Sequence, residues 1–266
     1  MLDISIVIIA KNEASDIAEC IKSARTISND IVVTDTGSID CTTRIAKECG
    51  AHVVNATWIN YGVARNVGAA MAKHDWIIAL DADERITPDL AEAIRRIDCD
   101  DPDLAFGFER KNYFRKKRIR FGDWGHDIVY RLYNRTCSKW QNVPVHEILQ
   151  GDNLVKRKIQ GRLLHYTVAS MHEYTNKIAR YAFLSAGKYM EQKRRPNFFK
   201  KIFSAPVNFM ACYFLRLGFL DGKEGFIIAV YTAWYSYLKY HYFSEMYKKT
   251  HDLNLGRALS KSIVSR

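Results

Sequence analysis

Short apolar runs alternate with stretches of helical spacing through the first hundred residues. Ile4 to Ile9, Ile31 to Thr34, the brief Val53-Val54 and Trp76 to Leu80 read as strands. Between them, Glu13 to Ala24 repeats apolar residues at helical intervals through Ile17, Ala18 and Ile21. Ser38 to Cys49 reads as a second helix, closed by Gly50 in the left-handed C-terminal position, and Tyr61 to Ala72 as a third. This alternation predicts an α/β fold with a doubly wound, mostly parallel sheet.

Parallel strands bring their carboxyl ends to one edge of a sheet, and polar residues cluster where these strands should end. Lys11, Asn12 and Glu13 follow the first, Asp35-Thr36-Gly37-Ser38 the second, and Asp81-Ala82-Asp83-Glu84 the fourth. If the strand relaxes into a turn, Asp81 and Asp83 can face one cation, and hard oxygen donors suit Mg or Mn. A divalent ion held there would bind a diphosphate. The competing reading is that Asp81, Asp83 and Glu84 cap a helix beginning near Thr87-Pro88-Asp89-Leu90. Asp35 fits an ordinary loop with a Ser cap, and can also reach a ribose hydroxyl. No GxGxxG or GxxxxGK[ST] follows a strand, which weighs against dehydrogenase and P-loop chemistry. Arg65, a lone cation on a largely apolar helix, is either a contact to the diphosphate or base, or a surface residue.

The pattern changes at Leu104. Leu104 to Phe108 and Ile128 to Tyr133 read as strands flanking a basic loop or hairpin, Lys111 to Arg120. The loop from Phe121 through Gly122, Asp123, Trp124, Gly125 and His126 to Asp127 combines glycines, an indole and acids, as a sugar grip or a tight hairpin would. Glu147 follows the proline-stiffened Asn142-Val143-Pro144-Val145-His146 and is a candidate general base or a solvated strand end. His165, after an expected strand from Ile159 to Leu164, either approaches the metal or phosphates or is structural. Helices are expected over Val168 to Met190, Val207 to Leu217 and Gly225 to Phe243.

Charge divides the chain. Residues 151–266 hold 20 Lys+Arg against 7 Asp+Glu, a net of +13, within a whole-chain total of +11. Lys193-Arg194-Arg195 and Lys200-Lys201 flank Phe198, Phe199 and Phe203, a mixture that suits an anionic membrane surface or helices packed on the sheet. No nucleic-acid-binding motif accompanies the charge. The six cysteines lack metal-ligand spacing and fit free thiols in a reducing cytoplasm. Ile4 to Ala10 lacks a basic leader, so it reads as a strand and not a signal peptide. No unbroken apolar segment reaches the roughly 18 residues that cross a bilayer, so membrane contact would be peripheral.

Together these residues resemble a family 2 glycosyltransferase of the GT-A fold. The resemblance runs through Ser5 to Glu13, Ile31 to Ser38 and Leu80 to Arg85. Within the family it is nearest the lipopolysaccharide core glucosyltransferase group, through Tyr61-Gly62, Arg65-Asn66, Gly122-Asp123-Trp124, Arg131-Leu132-Tyr133, Val145-His146-Glu147, His165-Tyr166 and Leu217 to Gly225. Where members often carry Ser, this chain has Thr36. The resemblance implies inverting transfer of a hexose, glucose above others, from a UDP-sugar to a surface glycolipid. Glu13 and Asp35 would hold the uridine with help from Arg65, Asp81 and Asp83 would position ribose and cation, and Glu147 would be the base, with Asp123 and Asp127 as competitors. Residues 1–166 would form the GT-A domain, with a basic, aromatic-rich helical extension over 167–266. The protein would work in the cytoplasm, peripheral on the inner face of the membrane. A polyprenyl-phosphate acceptor, and a non-catalytic basic module binding membrane or nucleic acid, are the alternatives.

Overall fold

The computed structural model describes residues 3–97, 101–125, 127–145, 147–168 and 170–264, with only the helical backbone beyond residue 250; Cys99, His126 and His146 lie outside the described residues. Two compact units emerge, Met1–Arg120 with Trp124–Val168, and Phe121–Asp123 with Ala169–Arg266.

The first unit begins with β1 (Ile4–Ala10), α1 (Ile17–Ala24), β2 (Ile31–Asp35), α2 (Thr42–Glu48), β3 (His52–Asn55), α3 (Tyr61–Ala70) and β4 (Trp76–Asp81). The four strands pair in parallel in the order β3-β2-β1-β4. There follow β5 (Glu84–Ile86), α4 (Pro88–Arg95), β6 (Leu104–Phe114), β7 (Lys117–Arg118), β8 (Asp127–Asn134), the small ribbon of β9 (Lys139–Trp140) with β10 (Leu149–Gln150), and β11 (Val155–Val168). β8 inserts antiparallel between β4 and β6, β11 lies parallel to β6, and β5 runs antiparallel along β11.

Both faces of the central strands are covered, which is why their sequences read as continuous apolar runs. Ile6 and Ile8 of β1 with Ile78 and Leu80 of β4 pack with α1 and α4 residues such as Ile21 and Leu90. Val7, Ile77 and Ala79 point the other way, into a core with Ala69 of α3, Tyr133 and Trp140. α3 starts at Asn60, whose side chain accepts from Val63 N at 2.9 Å. Gly68 lets α3 lie close on the sheet, since a Cβ there would run into Thr34 Oγ1 and Val7 Cγ1.

The register aligns Ala10 with Asp35 and Ile9 with Asp81, so β1, β2 and β4 end together. Chain order reverses between β1 and β4, and a crevice opens beyond the strands at such a switch point.

Several expected boundaries move. The segment Lys111 to Arg120 is the end of β6 folding back onto β7, with Arg115 in left-handed backbone (φ 56°). His165 does not terminate its strand, because β11 continues to Val168 between two partners, β6 and β5. α1 begins at Ile17 rather than Glu13, and α2 at Thr42 rather than Ser38, because the intervening residues bond across the two loops.

The second unit is helical, with α5 (Met171–Glu191), α6 (Phe198–Met210), a π-helical stretch (Ala211–Leu215), a 3-10 turn (Gly218–Asp221) and α7 (Gly222–Val264). Tyr hydroxyls of α7 bond α5, Tyr231 to Thr175 at 2.8 Å and Tyr235 to Ser185 at 2.7 Å. The helix expected from Val207 begins instead at Phe198, where Asn197 caps it by accepting from Lys200 N. Phe121 N donates to Asp221 Oδ2 at 2.8 Å, Gly122 N donates to the Arg216 carbonyl at 2.9 Å, and Asp123 pairs with Arg216. The described cysteines, Cys20, Cys41, Cys49, Cys137 and Cys212, are free.

Candidate active site

Asp81 is the last residue of β4, and Asp83 sits in the turn leading to β5. The acids do not cap α4. Thr87 holds that position, and Glu84 belongs to β5 with its side chain fully buried. Glu84 instead accepts from Asp81 N at 2.9 Å, so one carboxylate braces the backbone that carries another.

A ladder of alternating charge runs along this edge. Arg65 of α3 pairs with Glu147 and, at 2.7 Å, with Asp81 Oδ1. Arg131 of β8 reaches Asp81 Oδ2 at 2.7 Å and Glu84 at 3.3 Å. Arg110 of β6 joins Glu84 at 3.1 Å to Asp127 at 2.6 Å. Each Asp81 oxygen is thus on a guanidinium. Burial alone would raise the Asp81 carboxyl, but Arg131, Arg65 and Arg110 outweigh it and hold it well below the usual carboxylate range. Burial works likewise against the charge of Arg131, and Asp81 and Glu84 reverse it.

Arg65 is no surface residue, being 3 % exposed. Its guanidinium lies 4.6 Å from the centre of the Trp140 ring. Asn66 fixes that ring by clasping the Trp140 backbone, accepting from its N at 3.0 Å and donating to its carbonyl at 2.9 Å. Nε of Arg65 and of Arg131 has no hydrogen-bond partner among the described residues.

Asn112 carries the ladder onward. Its Nδ2 donates to the Trp124 carbonyl at 3.0 Å and to Asp127 Oδ2 at 3.3 Å, so Oδ1 is the acceptor that faces His165 Nδ1 at 2.6 Å. Nδ1 therefore carries the proton, and Nε2 turns to Asp83 Oδ2 at 3.3 Å. With a proton on Nε2 as well, the two form an ion pair; with Nε2 bare, a lone pair faces a carboxylate oxygen. The latter contact is repulsive unless a cation lies between, and an imidazole oriented through its other nitrogen is the arrangement of a metal ligand. Among the described residues no three His, Cys, Asp or Glu side chains form a full cage, so the pair would leave most coordination positions to a ligand or water.

Lys11 and Asn12 are exposed after β1, with Asn12 in left-handed backbone (φ 57°). Asn12 N donates to Ser38 Oγ and its Oδ1 accepts from Ile39 N, both at 2.9 Å, while Glu13 N donates to Thr42 Oγ1 at 2.8 Å. Asp35 is buried and accepts from Gly37 N and Ser38 N, each at 3.0 Å, and from the Ser38 hydroxyl. The loops after β1 and β2 are thereby stitched into one rim beside β4. Asp127 and Glu147 join the ladder in the first unit, whereas Asp123 belongs to the second.

The sequence reading assigned no role to Arg131, Arg110, Asn112 or Trp140. Arg131 did leave a trace, as a single cation inside the apolar run Ile128 to Tyr133. Arg110 and Asn112 left none, since they stand among other polar residues.

Glycosyl transferase family 2 matches residues 5–164. An uncharacterised glycosyltransferase of Rickettsia typhi is 27 % identical over 268 residues, covering 95 % of this chain and 90 % of that one. The lipopolysaccharide core biosynthesis glycosyltransferase LpsC of Rhizobium meliloti is 27 % identical over 248 residues, 89 % of this chain and 90 % of its own. Among solved structures, S. aureus TarS 1-349 in complex with UDP-GlcNAc aligns over 94 % of this chain and 92 % of its own, at 13 % identity and a TM-score of 0.48. Glucosyl-3-phosphoglycerate synthase of Mycobacterium tuberculosis, with Mn2+, UDP and glucosyl-3-phosphoglycerate, aligns over 42 % of this chain and 44 % of its own, at 22 % identity and a TM-score of 0.32.

Proposed function

Because the chain belongs to glycosyl transferase family 2 and has the GT-A fold, we propose that it moves glucose from UDP-glucose to a hydroxyl of a lipopolysaccharide core or related surface glycolipid, with inversion. The observation that carries the reading is the Asp83–His165 pair at the carboxyl edge of the sheet, with the ring oriented by Asn112. The donor set suits Mg or Mn, one carboxylate oxygen and one imidazole nitrogen. Charge agrees, because the ladder sets five carboxylates (Asp81, Asp83, Glu84, Asp127, Glu147) against three guanidiniums (Arg65, Arg110, Arg131), a deficit that a divalent cation offsets. When bound, the cation would neutralise the departing diphosphate.

The protein's own groups do the rest. The rim of Lys11, Asn12, Glu13 and Asp35 receives the uridine. Arg65 and Arg131 hold Asp81 where it can meet the ribose, and water is kept out by Trp140 and the buried guanidiniums. Glu147 removes the acceptor proton as the hydroxyl oxygen bonds the anomeric carbon and UDP leaves from the opposite face. Glu147 is preferred to Asp127 because Asp127 Oδ2 already takes Arg110 Nε and Nη2 and Asn112 Nδ2, whereas Glu147, among the described residues, accepts from Arg65. The near full-length match to LpsC supports the acceptor class.

A panel of UDP-sugars with and without Mn, on truncated lipopolysaccharide acceptors, tests this. Transfer from UDP-glucose that requires the metal is expected. Metal-independent turnover, or an Asp83→Ala variant as active as the parent, would refute it.

A further inference from the structure

α6 is inside out. Phe199, Ile202, Phe203, Val207 and Met210 follow the spacing of one helical stripe, and each is 46 to 69 % exposed. The less exposed side carries Lys201, Ser204 and Asn208, and Phe209 packs on Phe226 of α7 with ring centres 5.9 Å apart. Among the described residues α6 buries none of its side chains fully. A stripe of large apolar groups facing water, with polar groups behind it, calls for a covering surface.

Charge identifies the cover. Lys193, Arg194 and Arg195 precede the helix and Lys200 lies within its first turn, all exposed. Two copies meeting through this face about a two-fold axis would bring like charges together, which opposes self-association. An anionic lipid surface complements both features, the stripe entering the acyl boundary and the cations staying among the headgroups.

α6 by itself is too short to span a bilayer. Its 13 residues reach about 20 Å, short of the roughly 30 Å hydrocarbon core, and no single helix among the described residues is long and apolar enough to cross. Phe198–Leu215 and Gly218–Thr250 together have the length and composition of a broken span or re-entrant loop, bent by 71°, and the exposed cations before and within α6 favour a surface position over an inserted one. We infer that α6 lies in the plane of an anionic bilayer surface, stripe inward, and anchors the protein peripherally. This goes beyond the sugar-transfer reading and does not depend on it.

Full-length protein is sedimented with vesicles of phosphatidylethanolamine alone or mixed with phosphatidylglycerol. Binding to the mixed vesicles, released by salt and by alkaline carbonate, is expected. A Phe199→Glu/Phe203→Glu variant should bind at least about tenfold more weakly, and Arg194→Ala and Arg195→Ala about fivefold each. Far-UV circular dichroism and UDP-sugar hydrolysis in vesicle-free solution report folding and the sugar site separately, and both should match the parent. Equal binding by the double-Glu variant, equal binding to neutral vesicles, or retention in carbonate would each overturn the proposal. So would a parent dimer that the double-Glu variant dissolves, since the stripe would then be an interface between copies.

Discussion

Asp81 and Arg131 stand fifty residues apart in the chain and 2.7 Å apart in space, Oδ2 accepting from Nη2. The pair joins the end of β4 to the middle of β8, and Arg131 also reaches Glu84, which braces the Asp81 backbone. Replacing Arg131 by Leu leaves the buried Glu84 and the partly buried Asp81 each short of a partner. A loss of about 3–5 kcal/mol in urea unfolding is expected, with transfer activity falling well beyond the unfolded fraction. Arg131→Lys keeps the charge without the fork and should recover part of the stability and little of the activity.

Acid should act through Asp81. Its carboxyl is held well below the ordinary 3.8 in the folded protein, so the unfolded chain takes up the proton first as pH falls. The stability contributed by this group is fully present above about pH 4 and is lost as pH drops toward the folded value. Asp81→Asn should flatten that part of the stability-against-pH curve, measured by thermal unfolding between pH 6 and 2; an unchanged slope would contradict the assignment.

On the proposed reading a metal would sit at the Asp83–His165 pair. His165→Ala should weaken Mn binding in the presence of UDP, read by electron paramagnetic resonance. Asn112→Ala, which removes the acceptor that orients the ring, should weaken it about 10- to 100-fold with His165 still in place. Mn affinity untouched by both changes would remove His165 from the site.

In the proposed reaction Glu147 has two duties, base and partner of Arg65, that separate kinetically. Glu147→Gln still offers an oxygen to Arg65 but cannot take a proton, so kcat should fall about 100- to 10,000-fold with little change in the KM for donor. If instead KM rises and kcat holds, Glu147 only positions Arg65, and Asp127→Asn becomes the variant that loses kcat.

Much of the fold could be read in one dimension. The four parallel strands, the helices between them and the convergence of Asp35, Glu13 and Asp81 on one edge follow from apolar periodicity and from the rule that parallel strands end together. The register then sets Ile9 beside Asp81 and Ala10 beside Asp35, as that rule requires. Boundaries were less legible where tertiary partners extend an element, as β5 and β6 do for the strand that carries His165.

Local pattern in the chain was enough for the class of the sheet and for the edge where Asp35 and Asp81 gather, because burial periodicity and strand direction are properties of short segments. Which charge meets which was settled by folding alone. β8 enters antiparallel between β4 and β6 and brings Arg131 to Asp81, while β11 lies between β6 and β5 and brings Asn112 to His165 and Arg110 to Glu84. Ion pairs between distant residues depend on strand order and register, and neither is written in the spacing of any single segment.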